Sequence, residues 1–289
     1  MSVVGVDIIS KRGERRKCLP LEIRAKMYED VIELKRQGLK PSQIQEELFE
    51  KYKVQLCMKN IYNWINGKHY PFGNVNNFNE KPSPKLAYIV GVIFTDGYKY
   101  IGKQSQYSLR LAVNDREFAE KFAECLTEIL KKKKPYKPFY NKNQKKWIVA
   151  GCSVLLFRFL NRTLRELKSI IEYDEKCVSA FLQALFDGEG TIYIKIKGKK
   201  RRRGLYLFNT NKKLLIYAKY LLRKYFSIEA TGPYLKTRKG TLREFPNGVY
   251  KATKDCHYIY IRTKSLSNFY RHVGFSIKRK QQKLIKAIK

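Results

Sequence analysis

Two carboxylates stand out in this 289-residue sequence, Asp96 and Glu189, each lying just before a glycine at the end of an apolar run. The first run is Leu86–Gly97, LAYIVGVIFTDG, and the second is Ala180–Gly190, AFLQALFDGEG. Set end to end, Ile89–Gly97 matches Leu182–Gly190, with Gly91 opposite Ala184 and Asp96 opposite Glu189. If both runs are helices lying side by side in parallel, the two acids emerge together. Carboxylates held that close require compensation: one takes up a proton, or a cation sits between them. An oxygen-only donor set suits a hard divalent ion such as Mg²⁺, with the backbones of Gly188 and Thr95 as additional candidate ligands. Two acids, metal ions and a phosphate are the parts of a hydrolytic phosphodiester site.

The elements that position the acids follow from local sequence. Ser83-Pro84 opens a helix, with Ser as N-cap and Pro at the first helical position, where its missing N–H costs nothing. Gly97 is expected to stop it. Between them the helix is apolar nearly all round, which predicts burial, and it is too short to cross a bilayer. Its natural partner is its own twin, since Gly91 and Ala184 let two backbones approach closely. Asp187, two residues before Glu189, reads as a helix-end cap or a supporting acid.

The formal net charge is +36, from 61 basic and 25 acidic residues. Such an excess goes beyond what solubility requires and points to a polyanionic partner. No run is long and apolar enough to span a membrane, and no signal peptide opens the chain, so nucleic acid is favoured over a lipid surface. Six cysteines include no CxxC pair and His numbers only 3, which argues against zinc. Reduced cysteines fit an intracellular protein, cytoplasmic or organellar.

In chain order, residues 1–23 form a short mixed lead. Residues 24–68 read as a helical unit: Met27, Val31, Ile32 and Leu34 on one helix, Ile44, Leu48 and Phe49 inward on a second, and Ile61, Tyr62, Trp64 and Ile65 on a third. This unit resembles the helix-turn-helix of resolvases and transposases, with Lys59, Asn60, Asn63, Asn66 and Lys68 as the polar face of its last helix. Residues 69–83 are a linker by composition. From residue 84 a pattern runs twice, over 84–173 and 174–289. The first copy has strands at Tyr98–Gly102, Tyr107–Val113, Tyr136–Tyr140 and Lys146–Ala150, with helices over Asp115–Lys131 and Ser153–Leu164. The second has strands at Thr191–Lys197, Leu205–Asn209, Ala230–Tyr234, Val249–Ala252 and Tyr258–Arg262, and helices over Lys212–Phe226, Ser265–Val273 and Ile277–Ile288. Each copy is an αββαββα unit, so the whole is one pseudo-symmetric α+β body.

The duplicated motif, in register and followed each time by strand-like sequence, resembles that of the LAGLIDADG homing endonucleases in their single-chain, two-repeat form. The resemblance implies two sheets forming a saddle over double-stranded DNA, with the motif helices at its centre. It also implies a monomer that makes a site-specific double-strand cut with Mg²⁺, leaving short 3′ overhangs. Mn²⁺ is expected to substitute, and Ca²⁺ to support binding without cleavage. Asp96 and Glu189 carry over as metal ligands. The family often adds a basic residue at the strand-to-helix junction, which Lys264 supplies in the second copy. The matching place in the first copy offers Cys152 and Ser153, leaving Lys145 or Lys146 as substitutes. Asn209 and Asn114 end equivalent strands as candidates to hold water or metal. Strand alternation nominates Lys195, Lys197, Arg110, Gln104, Gln106, Tyr193, Lys236, Arg238, Arg243 and Lys251 for the DNA face, with Lys199, Arg201, Arg202 and Arg203 in a turn. The same basic surface suits two other readings within this resemblance: a maturase for its own intron RNA, and a non-catalytic DNA-binding regulator.

Overall fold

The structure is a computed structural model that describes residues 19, 21–68, 78, 80–102, 107–197, 200–245 and 248–289. Gln104, Gln106 and Lys199 lie outside the described residues, as do the side chains of Lys197, Arg201 and Arg243. Two compact units form.

The first unit holds α1 (Leu21–Arg36), α2 (Pro41–Tyr52) and α3 (Met58–Ile65). Its core is Met27, Val31, Ile44, Leu48, Ile61 and Trp64. Gly38 turns the chain between α1 and α2 at φ +90, a conformation that suits glycine. Tyr52 donates to Asp30 at 2.7 Å, tying α2 to α1. Two residues expected to point inward do not: Phe49 is 45% exposed and Tyr62 is 50% exposed. Residues four apart share a helix face, so Ile44 and Leu48 define the buried stripe of α2 and Phe49 falls beside it. Tyr62 is displaced from Ile61 and Trp64 on α3 in the same way.

The second unit is built on α4 (Pro84–Ile93) and α8 (Glu175–Glu189). Ser83 caps α4 by accepting from the Leu86 N–H at 3.2 Å, and Asp174 caps α8 by accepting from the Cys177 N–H at 2.7 Å. Every residue of α4 from Leu86 to Val92 is buried. The seam between the helices is close: a Cβ on Gly91 would lie 2.7 Å from both the Ala184 Cβ and the Phe181 carbonyl oxygen. The helix α4 ends at Ile93, earlier than Gly97, and Phe94–Asp96 make a turn. In that turn the Thr95 hydroxyl donates to the Val92 carbonyl at 3.1 Å, reinforcing the backbone bond that the Thr95 N–H makes to the same oxygen. Gly97 instead opens a strand, as does Gly190.

The two repeats then build matching antiparallel sheets. One has the order β1 (Gly97–Ile101), β2 (Tyr107–Val113), β4 (Lys146–Cys152), β3 (Phe139–Asn141). The other has the order β5 (Gly190–Lys197), β6 (Lys200–Asn209), β10 (Cys256–Ile261), β7 (Ala230–Thr237). Gly97 pairs with Leu111 and Gly190 with Leu207, the same register in both. The helices α5 (Arg116–Ile129) and α9 (Lys212–Phe226) bring Phe118, Phe122, Leu214 and Leu221 into the shared core.

Three details differ from the sequence expectation. The β5–β6 ladder continues to Lys197 opposite Lys200, so Arg201, Arg202 and Arg203 are strand residues rather than turn residues. Residues 249–251 are not part of the four-stranded sheet; β8 (Leu242–Phe245) and β9 (Gly248–Lys251) pair only with each other. The helix after β4 is shorter than expected, α6 being Val154–Phe159, with α7 (Lys168–Ile171) separate from it. The chain closes with α10 (Leu266–His272) and α11 (Lys278–Ile288). Among the described residues no helix is long and apolar enough to cross a membrane.

Candidate functional site

Gly188 brings the acids together. A Cβ there would lie 2.7 Å from the Asp96 Oδ2 and 2.8 Å from the Thr95 Oγ1. The turn that ends the first motif is therefore seated on the backbone that ends the second. Glu189, half-buried, is pushed up to about 7, first by burial and then by the negative charge of Asp96, against the pull of Lys280. Burial also raises Asp96, while Lys280 and Lys146 hold it part of the way down. Asp96 is the more open of the two to solvent.

Two carboxylates raised together are negative charge that the protein leaves only partly compensated, which is the electrostatic condition a divalent cation relieves. Among the described residues no group of three or more His, Cys, Asp or Glu side chains forms a metal cage. The candidate donors are the carboxylates of Asp96 and Glu189. Two oxygen donors suit a hard cation that keeps its remaining positions for water.

Asp187 and Lys280 support this end of α8. Asp187 is only 2% exposed and accepts from the Tyr88 hydroxyl at 2.8 Å, the Ser276 N–H at 2.9 Å and the Ser276 hydroxyl at 2.7 Å. Burial lifts its carboxyl to about 6 while these hydrogen bonds hold it down. Of its two expected roles it takes that of supporting acid, joining α8 to α4 and to the segment before α11. Lys280 of α11 donates to the carbonyls of Phe186 at 3.1 Å and Asp187 at 2.5 Å, placing a cation where the helix dipole favours one. Burial lowers the Lys280 ammonium below the usual lysine range. With Lys236, Arg279 and Lys283 it lines the cleft that holds Glu189. Sequence reasoning missed Lys280. Its signal was a lysine three residues after Ile277 and four before Leu284, on the apolar stripe of an otherwise solvated helix.

Other nominated residues fall elsewhere. Lys264 pairs with Glu229 at 2.6 Å. It follows Ile261, whereas Cys256, at the opposite end of β10, lines the Glu189 cleft, about 16 Å away along the strand. The structure does not bring Lys264 to the acids. Asn209 ends β6, and its Oδ1 accepts from the Asn211 N–H at 2.7 Å. Its neighbour Phe208 lines the cleft, and strand alternation puts Asn209 on the opposite face. In the first repeat Ser153 caps α6, accepting from the Leu156 N–H at 3.2 Å, and Cys152 lies 3.2 Å from the Ser108 hydroxyl. Lys146 is the substitute whose charge reaches Asp96, while Lys145 and Asn114 are exposed. Tyr193, Lys195, Arg202, Lys236, Arg238 and Lys251 are exposed. Arg110 is half-buried, its guanidinium 4.8 Å from the Tyr100 ring centre. Arg203 is committed elsewhere: it donates to the carbonyls of Ala287 at 2.6 Å and Ile288 at 3.2 Å, closing the end of α11. On α3, Lys59 and Asn60 are exposed and Asn63 is half-buried.

Residues 176–274 match the family model described as a LAGLIDADG-like domain. Uncharacterized protein MJ0398 of Methanocaldococcus jannaschii is 29% identical over 261 residues, covering 89% of this chain and 91% of that protein. The crystal structure of I-DmoI in complex with DNA and Mn is similar at 18% identity with a TM-score of 0.44, covering 66% of this chain and 96% of that one. The homing endonuclease I-WcaI bound to its DNA recognition sequence is similar at 15% identity with a TM-score of 0.42, covering 71% of this chain and 88% of that one. The matched stretch lies within the second repeat, and the first repeat carries a similar motif helix with the same sheet order and register.

Proposed function

We propose that this protein is a site-specific homing endonuclease that makes a divalent-metal-dependent double-strand cut in a long DNA target and leaves short 3′ overhangs. The observation that carries the reading is Asp96 seated on Gly188 beside Glu189, with both carboxyls raised. The family match of the second repeat supports it. The net charge of +36 supports a polyanionic substrate whose binding weakens steeply with salt.

Asp96 and Glu189 would hold the ions, and both must be deprotonated to do so. Bound Mg²⁺, with Mn²⁺ as a substitute, supplies a positioned, more acidic water and stabilises the leaving oxygen; Ca²⁺ is expected to support binding alone. Lys280 and Lys146 offset the charge of the acids from opposite repeats. Lys195, Arg202, Lys236, Arg238 and Lys251, with Arg110 and Tyr193, suit phosphates and base edges of the duplex. The three-helix unit would add DNA contacts of its own through Lys59, Asn60 and Asn63. The working form is a monomer, since one chain carries both acids.

The test is selection from a randomised duplex library with Mg²⁺, reading the cut ends, with Ca²⁺ as the binding-only control. Discrete cut sites are expected. Asp96→Asn or Glu189→Gln should lower double-strand cleavage by at least about a thousandfold, roughly 4 kcal/mol of barrier, while specific binding survives. Cleavage that persists in both variants would overturn the assignment of the site.

A further inference from the structure

The outer face of the second sheet is aromatic. Alternation along β6 and β10 turns Leu205, Leu207, Ile259 and Ile261 into the core and leaves Tyr206, Phe208, Tyr258 and Tyr260 half-buried on the opposite face. Their rings form one connected row. Tyr206 and Phe208 stack with centres 6.0 Å apart, Tyr206 and Tyr260 are 5.1 Å apart, and Phe208 and Tyr258 are 5.7 Å apart. Tyr258 continues to Tyr234 at 5.6 Å, and Tyr234 is 49% exposed.

Gly204 shows how the rings lie. A Cβ there would meet the Tyr260 ring at 2.6 Å and the Tyr206 ring at 3.0 Å. These rings therefore rest over the backbone at a position without a side chain, instead of standing clear of the sheet. Each of the rings is half-buried, so part of it stays open to solvent. Beside them Lys195 pairs across the ladder with Arg202, both exposed. At its other end the row reaches Phe208, which lines the cleft of Glu189.

Base edges in a duplex groove are read by hydrogen-bonding side chains such as Arg, Asn and Gln. Ring faces match the faces of bases, and those are available only where bases are unpaired. The adjacent cations match a phosphate backbone and disfavour an uncharged apolar protein partner. We infer that this sheet face stacks the unpaired bases of a single-stranded nucleic acid. The inference rests on the nucleic-acid reading of the surface and requires no cleavage. Single-stranded RNA and melted DNA share the chemistry, and the test separates them.

The experiment uses the full chain in EDTA, where no cutting occurs. Fluorescence anisotropy follows labelled 20-nucleotide single strands, one RNA and one DNA, and a duplex of the same length. A 2-aminopurine in each single strand reports stacking directly. Quenching of 2-aminopurine is expected on binding. Tyr206→Leu and Tyr258→Leu should each weaken single-strand binding by about fivefold or more, the scale of one lost base–ring stack. Tyr206→Phe and Tyr258→Phe keep the ring and should stay within about twofold of wild type. Circular dichroism checks the fold, and the Phe variants with the quenching signal keep the test decisive if a Leu variant unfolds. Tighter binding of the RNA strand would identify RNA as the source, and equal binding would identify single strands of either kind. Absence of quenching, or Leu variants that bind like wild type, would overturn the inference. Cleavage of duplex DNA with Mg²⁺ is scored separately, so either reading can fail while the other stands.

Discussion

The two repeats share a backbone plan and differ in what surrounds the acid. In both, the glycine after the acid pairs with the same position of the next strand, Leu111 or Leu207. In the first, Asp96 sits in a turn beyond the helix, open to solvent, with Lys146 as the cation from its own repeat. In the second, Glu189 is still on the helix, half-buried, and backed by Asp187, Ser276 and Lys280. The sheet faces diverge as well. By register, Arg110 and Ala150 occupy the places of Tyr206 and Tyr260, and Ala112 and Ile148 those of Phe208 and Tyr258. Packing explains what is kept: a helix seam and a strand ladder tolerate little change without losing contact. The outward side chains are under no such constraint. The two acids therefore sit in unequal electrostatic surroundings.

The seam should be the most costly place to intervene. Gly91→Val would drive a branched side chain into Ala184 and the Phe181 carbonyl, and should cost about 3 kcal/mol in urea unfolding. Ala184→Gly, at the matching position, adds no clash and should cost only about 1 kcal/mol. Equal costs would mean that the seam has no preferred small side. Next comes Lys280, whose charge reaches both acids. Lys280→Met should slow cleavage about 30-fold, roughly 2 kcal/mol of barrier, and Lys146→Met less than about fivefold, read in single-turnover assays at saturating Mg²⁺. A reversed order would make the first half-site the more demanding one.

The burial of Glu189 has a signature in stability. Its carboxyl titrates near 7 when folded against an ordinary value of 4.5. A raised carboxyl favours the folded state below the ordinary value and loses that contribution as pH rises through the folded one. Metal-free Glu189→Gln should therefore be more stable than wild type by about 2 kcal/mol at pH 8 and nearly equal to it at pH 4.5. Asp96→Asn should gain less, because Asp96 is more open; an equal gain would erase the contrast between the acids. Smallest is Lys264→Ala. The Lys264–Glu229 pair is exposed on both sides, and such pairs contribute little. Cleavage should stay within about threefold of wild type, whereas a tenfold loss would return Lys264 to the site.

Much of this architecture is legible along the chain. Ser83 and Pro84 announce the first motif helix, Gly91 and Ala184 announce the seam, and the two acids announce the site, because caps, close packing and periodicity are local properties. Lys280 was not legible as a site residue, since the carbonyl it caps at Phe186 is 94 positions away in sequence. Arg203 reads as one more cation in a basic strand, and only the tertiary position of α11 shows it donating to the carbonyls of Ala287 and Ile288. Lys264 fits its motif position, yet its direction is decided by Glu229. The β8–β9 hairpin escaped because a two-stranded ribbon outside the main sheet has the alternation of a strand without a core face to confirm it.

The tie from Ser276 and Lys280 to the end of α8 also bears on when the surroundings of the acids are completed during synthesis. A growing chain presents both acids long before residues 276–288 emerge from the ribosome. Until then Asp187 lacks two of its three hydrogen-bond donors, and the last carbonyls of α8 lack their cation. A product truncated before residue 276 would hold both acids without the support that shapes their surroundings. A chain arranged this way completes the surroundings of its paired acids only when its last helix has been made.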